Sequence, residues 1–175
     1  MSNKSKEVVI VNAIRTPIGT YKGSLKNMKS HALGSIVIKE VLSRSKFDKD
    51  EIDEVIMGQV LTTGAGQNPA RQAAINAGIP ISKPAHIINQ VCGSGLRAVI
   101  SGYQSIKLGE AKNIISGGQE NMSIAPHSIF YRDKKKISED KLLDTMINDG
   151  LMDAFNCYHM GVTAENIAKK FDISR

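Results

Sequence analysis

One stretch of this sequence concentrates groups able to do covalent chemistry: Asn89, Gln90, Val91, Cys92, Gly93, Ser94, Gly95 and Leu96. It sets a single thiol between an apolar run that reads as a strand, Ala85 to Val91, and a helical pattern that opens at Gly93. At a helix start the unpaired backbone N–H groups and the positive end of the macrodipole favour thiolate over thiol, and the same groups can hydrogen-bond an oxyanion. Gly93 and Gly95 add nothing to a packed core and weaken the helix they open, so their expected role is to let a substrate approach the backbone. An isolated cysteine in apolar surroundings is ordinarily a buried, inert residue. The flanking glycines weigh instead for a nucleophile at Cys92, presented as the serine of a strand-to-helix elbow is.

Sulfur rather than oxygen at that position bears on the substrate. Exchange between two thioesters is nearly isoenergetic, so an acyl-cysteine can form and pass its acyl group to another thiol, whereas a serine ester is cleaved poorly by thiols. Acyl transfer between thiols is the expected chemistry. Cysteine hydrolases use the same nucleophile with a histidine base. The available bases are His31, His86, His127 and His159, and the sequence places none of them beside Cys92.

Other chemistries find less support. The two cysteines, Cys92 and Cys157, are far apart, with no Cys-x-x-Cys spacing and no clustered histidines, so neither a disulfide framework nor a metal site is expected. Gly64-Ala65-Gly66 is half of a dinucleotide fingerprint, with Pro69 where the third glycine would stand, so no dinucleotide cofactor is expected.

The elements that must carry Cys92 follow from periodicity. Glu7 to Ala13 contains the β-branched run Val8, Val9, Ile10 and Val11 and ends at a turn through Pro17 and Gly19, which predicts a buried central strand. Ala32 to Leu42 carries Leu33, Ile36, Val37 and Val41 at helical spacing, with Ser30 as the expected cap. A charged turn from Phe47 to Asp53 leads into a second strand, Glu54 to Gly58. Asn68 and Pro69 supply a cap and a first-turn proline for a helix through Ala77, closed by Gly78 and Pro80. After the strand Ala85 to Val91, the residues Leu96, Val99, Ile100, Tyr103 and Ile106 predict a helix ending at Gly109, and Asn113 to Ser116 predicts a fourth strand.

Alternating strands and helices with short connections predict an α/β fold, a mostly parallel sheet covered by helices. The rhythm breaks after Met122, so residues 1–122 are expected to form the core and 123–175 to begin an irregular loop or lid domain, with one helix at Thr163 to Phe171. Ser174 stands where a further helix could be capped, so the chain is expected to be the shortened form of a longer protein.

With 175 residues and 41% apolar content, the chain can bury a real core. The net charge of +6 and pI near 9.3 suit an anionic partner, and a polyanion such as coenzyme A fits. The excess is spread out, apart from Arg132 with Lys134, Lys135 and Lys136, and no aromatic-interleaved basic stripe occurs, so nucleic acid is not an expected partner. No stretch approaches a bilayer span and no secretory pattern opens the chain, so no membrane association and a reducing, cytoplasmic address are expected.

The segment NQVCGSGLRAV resembles the nucleophile motif of thiolases. The stretches VNAIRTPIGTYKGSL, GQNPARQAA, SGGQENMSIAPH and DGLMDAFNCYHMGVTAENIAKKFDISR also resemble thiolase sequence, in order and at family spacing, so the resemblance covers essentially the whole chain. It is strongest to the biosynthetic, short-chain class, the acetyl-CoA acetyltransferases, which interconvert two acetyl-CoA with acetoacetyl-CoA and CoA. The resemblance implies that Cys92 is the acylated cysteine, that His159 and Met160 line the acyl and pantetheine pocket, and that Leu151 contacts pantetheine. Without it, His159 reads as a core histidine and Met160 as packing. It also implies that coenzyme A enters as substrate rather than cofactor, and that Ser123 to Asp144 is a loop through which homo-oligomers assemble.

Departures from the family pattern are equally specific. Complete thiolases are more than twice as long, and their second half brings Asn-Glu-Ala-Phe, Gly-His-Pro and Cys-x-Gly motifs, none of which occurs here. Cys157, in Asn156-Cys157-Tyr158, does not match the second catalytic cysteine and reads as structural. Claisen chemistry needs a second base, because Cys92 is occupied as a thioester when the acceptor carbanion forms. The expectation is thus the cysteine half of an acetyl-CoA acetyltransferase, inactive alone. The alternative is a non-catalytic fragment that at most binds or associates, through an exposed apolar face and an open sheet edge.

Overall fold

The middle of the sheet is β1, Glu54–Gly58, in a computed structural model that describes residues 7–132 and 142–175. On one side it pairs in parallel with β2, Ala85–Ile88, and on the other in parallel with β3, Ile114–Gly118, giving the order β2-β1-β3. Three parallel strands joined through helices are the α/β architecture that the alternation of patterns predicts. Asp53 locks the entry to the sheet: its carboxylate accepts the N–H groups of Lys112 and Asn113 at 2.7 and 3.0 Å, and its own N–H donates to the Asn113 carbonyl.

Two helices cover one face, α1 (Ser30–Ser45) and α2 (Pro69–Asn76). Side chains alternate along β1, so Val55 and Met57 join Ile38, Ala70, Ala73 and Ala74 in the main apolar cluster. Both ends of α2 follow the predicted signals, with the Asn68 side chain accepting from the Arg71 N–H at 3.1 Å and Pro69 in the first turn. In α1 the cap differs: Lys29 is the N-cap without a side-chain bond, and Ser30 is already helical and buried. The buried face also differs from the predicted stripe. Ser30, Gly34, Ser35 and Ile38 face inward while Ile36 is exposed, because α1 approaches closely through small residues. A Cβ on Gly34 would collide with the buried Gln119 amide oxygen and press on the Ala73 methyl.

The helix that follows β2 is α3, Ser94–Leu108, closed by Gly109 at φ 82°. It packs on β1 and β3 with small residues inward, Ser94, Ala98 and Gly102, and leaves Leu96, Ile100 and Tyr103 exposed.

Residues Glu7 to Ala13 form no strand, contrary to the expectation of a central one. Val9, Ile10 and Val11 are 65%, 78% and 61% exposed. The apolar run records a need for burial between neighbours, and none of the three strands takes it as a partner. Ala85 to Val91 is shorter than predicted: pairing stops at Ile88, and Val91 leaves the extended region at φ 48°.

The chain divides into two units, Met1–Ile124 and Ala125–Arg175. In the second, β4 (His127–Ser128) pairs antiparallel with β5 (Leu143–Asp144), and Thr145, which is buried, donates to the Pro126 carbonyl at 2.6 Å. A π-helical turn, Met146–Leu151, follows, and then α4, Met160–Phe171, which starts three residues before the predicted Thr163 because His159 caps it. Lys134, Lys135 and Lys136 lie outside the described residues. Among the described residues no helix is long and apolar enough to cross a membrane.

Candidate active site

The turn from Asn89 to Gly93 carries the thiol from the carboxyl end of β2 to the amino end of α3. Its bonding is local and dense. Gly93 N–H donates to Gln90 carbonyl and Ser94 N–H to Val91 carbonyl, both at 3.1 Å. The Ser94 hydroxyl, almost wholly buried, accepts the Gln90 N–H at 2.9 Å and donates to the Val91 carbonyl at 2.5 Å. The Asn89 carboxamide oxygen accepts the Val91 N–H at 3.0 Å. Val91 thus sits at φ 48° with both of its peptide groups held by side chains. For a β-branched residue that conformation is disfavoured by of order 1–3 kcal/mol, the kind of local strain that clusters at functional sites.

Cys92 follows directly and is exposed, so the reading of a buried, inert thiol does not describe it. The first turn of α3 lies beyond. Arg97 N–H bonds to Gly93 carbonyl at 2.9 Å and Ser94 N–H to Val91, leaving Gly95 and Leu96 as the first-turn amides for which the helix itself supplies no acceptor. Gly93 lies at φ −80°, and a Cβ on Gly95 would meet the Gly118 backbone only at the ordinary contact distances of 3.7 and 3.8 Å, so the crowding at this junction falls on the sheet glycines. A Cβ on Gly118 would come within 3.3 Å of the Gly95 Cα, and one on Gly58 would collide with the Ser94 carbonyl and the Gly95 nitrogen. Glycines at the carboxyl ends of β1 and β3 therefore let the amino end of α3 rest on the sheet backbone.

Polar groups stabilise the same edge of the sheet. Glu120 accepts the N–H groups of Val60 and Leu61 at 2.8 and 3.1 Å, and Asn89 donates to the Val60 carbonyl at 3.3 Å. Burial pushes the Glu120 carboxyl up from its ordinary range, against the pull of the Leu61, Val60 and Asn121 amides. The buried Gln119 amide donates to Gln59 at 2.9 Å, and Gln59 in turn donates to the Leu61 carbonyl at 2.8 Å. The sequence reading missed these partners of the turn. Glu120, two residues after a strand ending in two glycines, and Asn89 and Ser94, on either side of the thiol, were the available signals.

Leu151, His159 and Met160 belong to the second unit, while Cys92 belongs to the first. An isolated antiparallel bridge between Met152 and His159 closes a turn between the π-helical turn, which ends at Leu151, and α4, which starts at Met160. Asp153 organises that turn by accepting the N–H groups of Phe155 and Asn156 at 2.9 and 2.6 Å, and Cys157 occupies it at φ 57°. His159 is exposed rather than a core residue, and its Nδ1 accepts the Gly161 N–H at 2.9 Å as the cap of α4. That bond places the hydrogen of the neutral ring on Nε2. Met160 is 41% exposed, so core packing does not describe it, and Leu151 is half-buried. Among the described residues no group of three or more His, Cys, Asp or Glu side chains is arranged to hold a metal ion.

Comparison with known proteins agrees with the geometry. The family description "Thiolase, N-terminal domain" matches residues 8–175. Acetyl-CoA acetyltransferase of Paracoccus denitrificans is 54% identical over 169 residues, which are 97% of this chain and 43% of that protein. Acetyl-CoA acetyltransferase of Rhizobium meliloti is 53% identical over the whole chain, and the cytosolic acetyl-CoA acetyltransferase of Rattus norvegicus is 51% identical over the same span, 44% of each relative. The chain spans less than half the length of the curated relatives it matches. A parallel sheet delivering an exposed cysteine to a helix start, and a match from residue 8 to residue 175, lead to one assignment: this chain belongs to the thiolase family, of which it carries the N-terminal domain.

Proposed function

We propose that the chain supplies the nucleophile of a thiolase-type acyl transfer, as the cysteine half of an acetyl-CoA acetyltransferase. The Cys92 thiolate attacks the thioester carbonyl of acetyl-CoA. A carbon–sulfur bond to Cys92 forms, the bond to coenzyme A breaks, and coenzyme A leaves as a thiolate that takes up a proton. A base then takes a proton from the α-carbon of a second acetyl-CoA, that carbon attacks the acetyl-Cys92 carbonyl, and the carbon–sulfur bond breaks to give acetoacetyl-CoA and return the Cys92 thiolate; the reverse direction is thiolysis. Deprotonating that α-carbon needs a base other than the acylated Cys92, so this chain does not complete the cycle alone. Leu151, His159 and Met160 are assigned to contacts with the acyl and pantetheine part of the substrate. Coenzyme A acts as substrate and no resident cofactor is invoked. A cytoplasmic address and assembly into homo-oligomers once the second half is supplied complete the proposal.

The observation that carries this reading is the exposed Cys92 after a strained Val91, at the amino end of a helix seated on sheet glycines. Incubation with acetyl-CoA followed by peptide mapping tests it. Acetylation is expected on Cys92, with none on Cys157, and loss of the product in Cys92→Ser. Equal acetylation of both thiols, or of neither in folded protein, would count against the assignment.

Exposed apolar residues favour a second reading, a non-catalytic module that associates with a partner. They include Val9, Ile10 and Val11 before the first helix and Leu96 and Tyr103 on α3.

A further inference from the structure

We propose that Asn89 is a positioning residue for Cys92, holding Val91 in the left-handed conformation that aims the thiol at the amino end of α3. The inference rests on the assignment of Cys92 as nucleophile and goes beyond it, because it explains what keeps a disfavoured backbone in place. Val91 stands at φ 48°, where a branched β-carbon is crowded by the neighbouring carbonyl, so an unrestrained turn would relax toward extended or helical backbone. Relaxation at that residue rotates the peptide that precedes Cys92.

Two side chains oppose it from either side. Ser94 holds the Val91 carbonyl and ties it to the Gln90 N–H, so the turn is closed onto the helix that follows. Asn89 works from the strand side: its oxygen accepts the Val91 N–H at 3.0 Å while its nitrogen reaches the Val60 carbonyl at 3.3 Å. Val60 is itself anchored, since its N–H donates to the part-buried Glu120 carboxylate at 2.8 Å. A hydrogen-bonded path therefore runs from Glu120 through Val60 and Asn89 to Val91, the residue before the thiol. Ser94 sits in the core and its loss would disturb packing as well as the turn. Asn89 is exposed, so its side chain can be altered with the core intact.

The test measures alkylation by iodoacetamide at fixed pH, residue by residue, in the full chain, with Cys157 as internal reference. Wild type is expected to alkylate faster at Cys92 than at Cys157. In Asn89→Ala the ratio should fall about fivefold to tenfold, the range that one net hydrogen bond corresponds to. Asn89→Ser keeps an acceptor for the Val91 N–H, adds no charge and loses the donor to Val60, so it should retain more of the wild-type ratio than Asn89→Ala does. Thermal unfolding is recorded for each variant, and the rescue by serine separates positioning from a general loss of fold. An unchanged ratio in Asn89→Ala overturns the positioning role while leaving Cys92 as nucleophile. An equal fall in the Ala and Ser variants overturns the assignment to the Val91 bond. No preference for Cys92 in wild type overturns the nucleophile assignment itself and this inference with it.

Discussion

At the scale of single residues, two polar side chains that support the turn are taken up by backbone groups. The Ser94 hydroxyl is spent on the backbone of the turn, and the Glu120 carboxylate on two amides beyond β1. Glu120 carries a linkage consequence. Burial raises its folded-state pKa above the ordinary 4.5, so the folded protein binds the proton more tightly than the unfolded chain does. Its contribution to stability is then complete below pH 4.5 and is lost as pH rises through the raised value. Glu120→Gln, which keeps an acceptor oxygen, should remove that dependence. Urea unfolding from acid to neutral pH is expected to show the variant gaining on wild type as pH rises, and a constant difference would refute the role of burial. Asp53 has the reverse sign: bonds from the Lys112 and Asn113 amides lower its pKa, so its contribution is lost as pH falls below 3.8.

Among the elements, α3 decides the site, because it must meet the sheet where a side chain would block it. Gly58 sits under the Ser94–Gly95 peptide, and the atoms a methyl would strike are backbone, which cannot swing aside. Gly58→Ala should therefore lift the amino end of α3, at about 1–3 kcal/mol in stability, the range for overpacking a closed contact. The Cys92-to-Cys157 alkylation ratio should fall with it; chemical unfolding and peptide mapping measure the two effects. An alanine tolerated in both would mean that the turn does not depend on helix–sheet contact. The elements also show where pattern reading works. The cap and proline of α2 and the glycine after α3 act through bonds within a few residues, and both helices end where those signals predict. In α1 the close contact is made by Gly34 and Ser35, whose burial no hydrophobic period records.

At the scale of the whole molecule, apolar side chains and strand edges stand open among the described residues. Val9, Ile10, Val11, Leu96 and Tyr103 are exposed, and β2 and β3 each have one edge without a partner strand among the described residues. Concentration-dependent association is expected in sedimentation velocity, weakened when Val9 and Val11 are both changed to Lys; a monomer at every concentration would contradict it. Catalysis belongs to this scale as well. The purified chain is expected not to thiolyse acetoacetyl-CoA, and turnover that disappears in Cys92→Ser would overturn the requirement for a second base.

The sequence by itself determined the α/β class, the three parallel strands, the four α-helices and the placing of Cys92 at a strand-to-helix junction. Those follow from local periodicity, caps and turn residues, which act over a few positions. Only the tertiary structure decided that Glu7 to Ala13 is not a strand, since strand formation needs a neighbour that sequence pattern does not name. It likewise decided that Gly58 and Gly118 make room for the amino end of α3, that His159 caps a helix, and that Asn89, Val60 and Glu120 form one path to the turn. Each of these depends on atoms brought together across the sheet or across a turn, and hydrogen bonds and close backbone contacts of that kind leave no period along the chain.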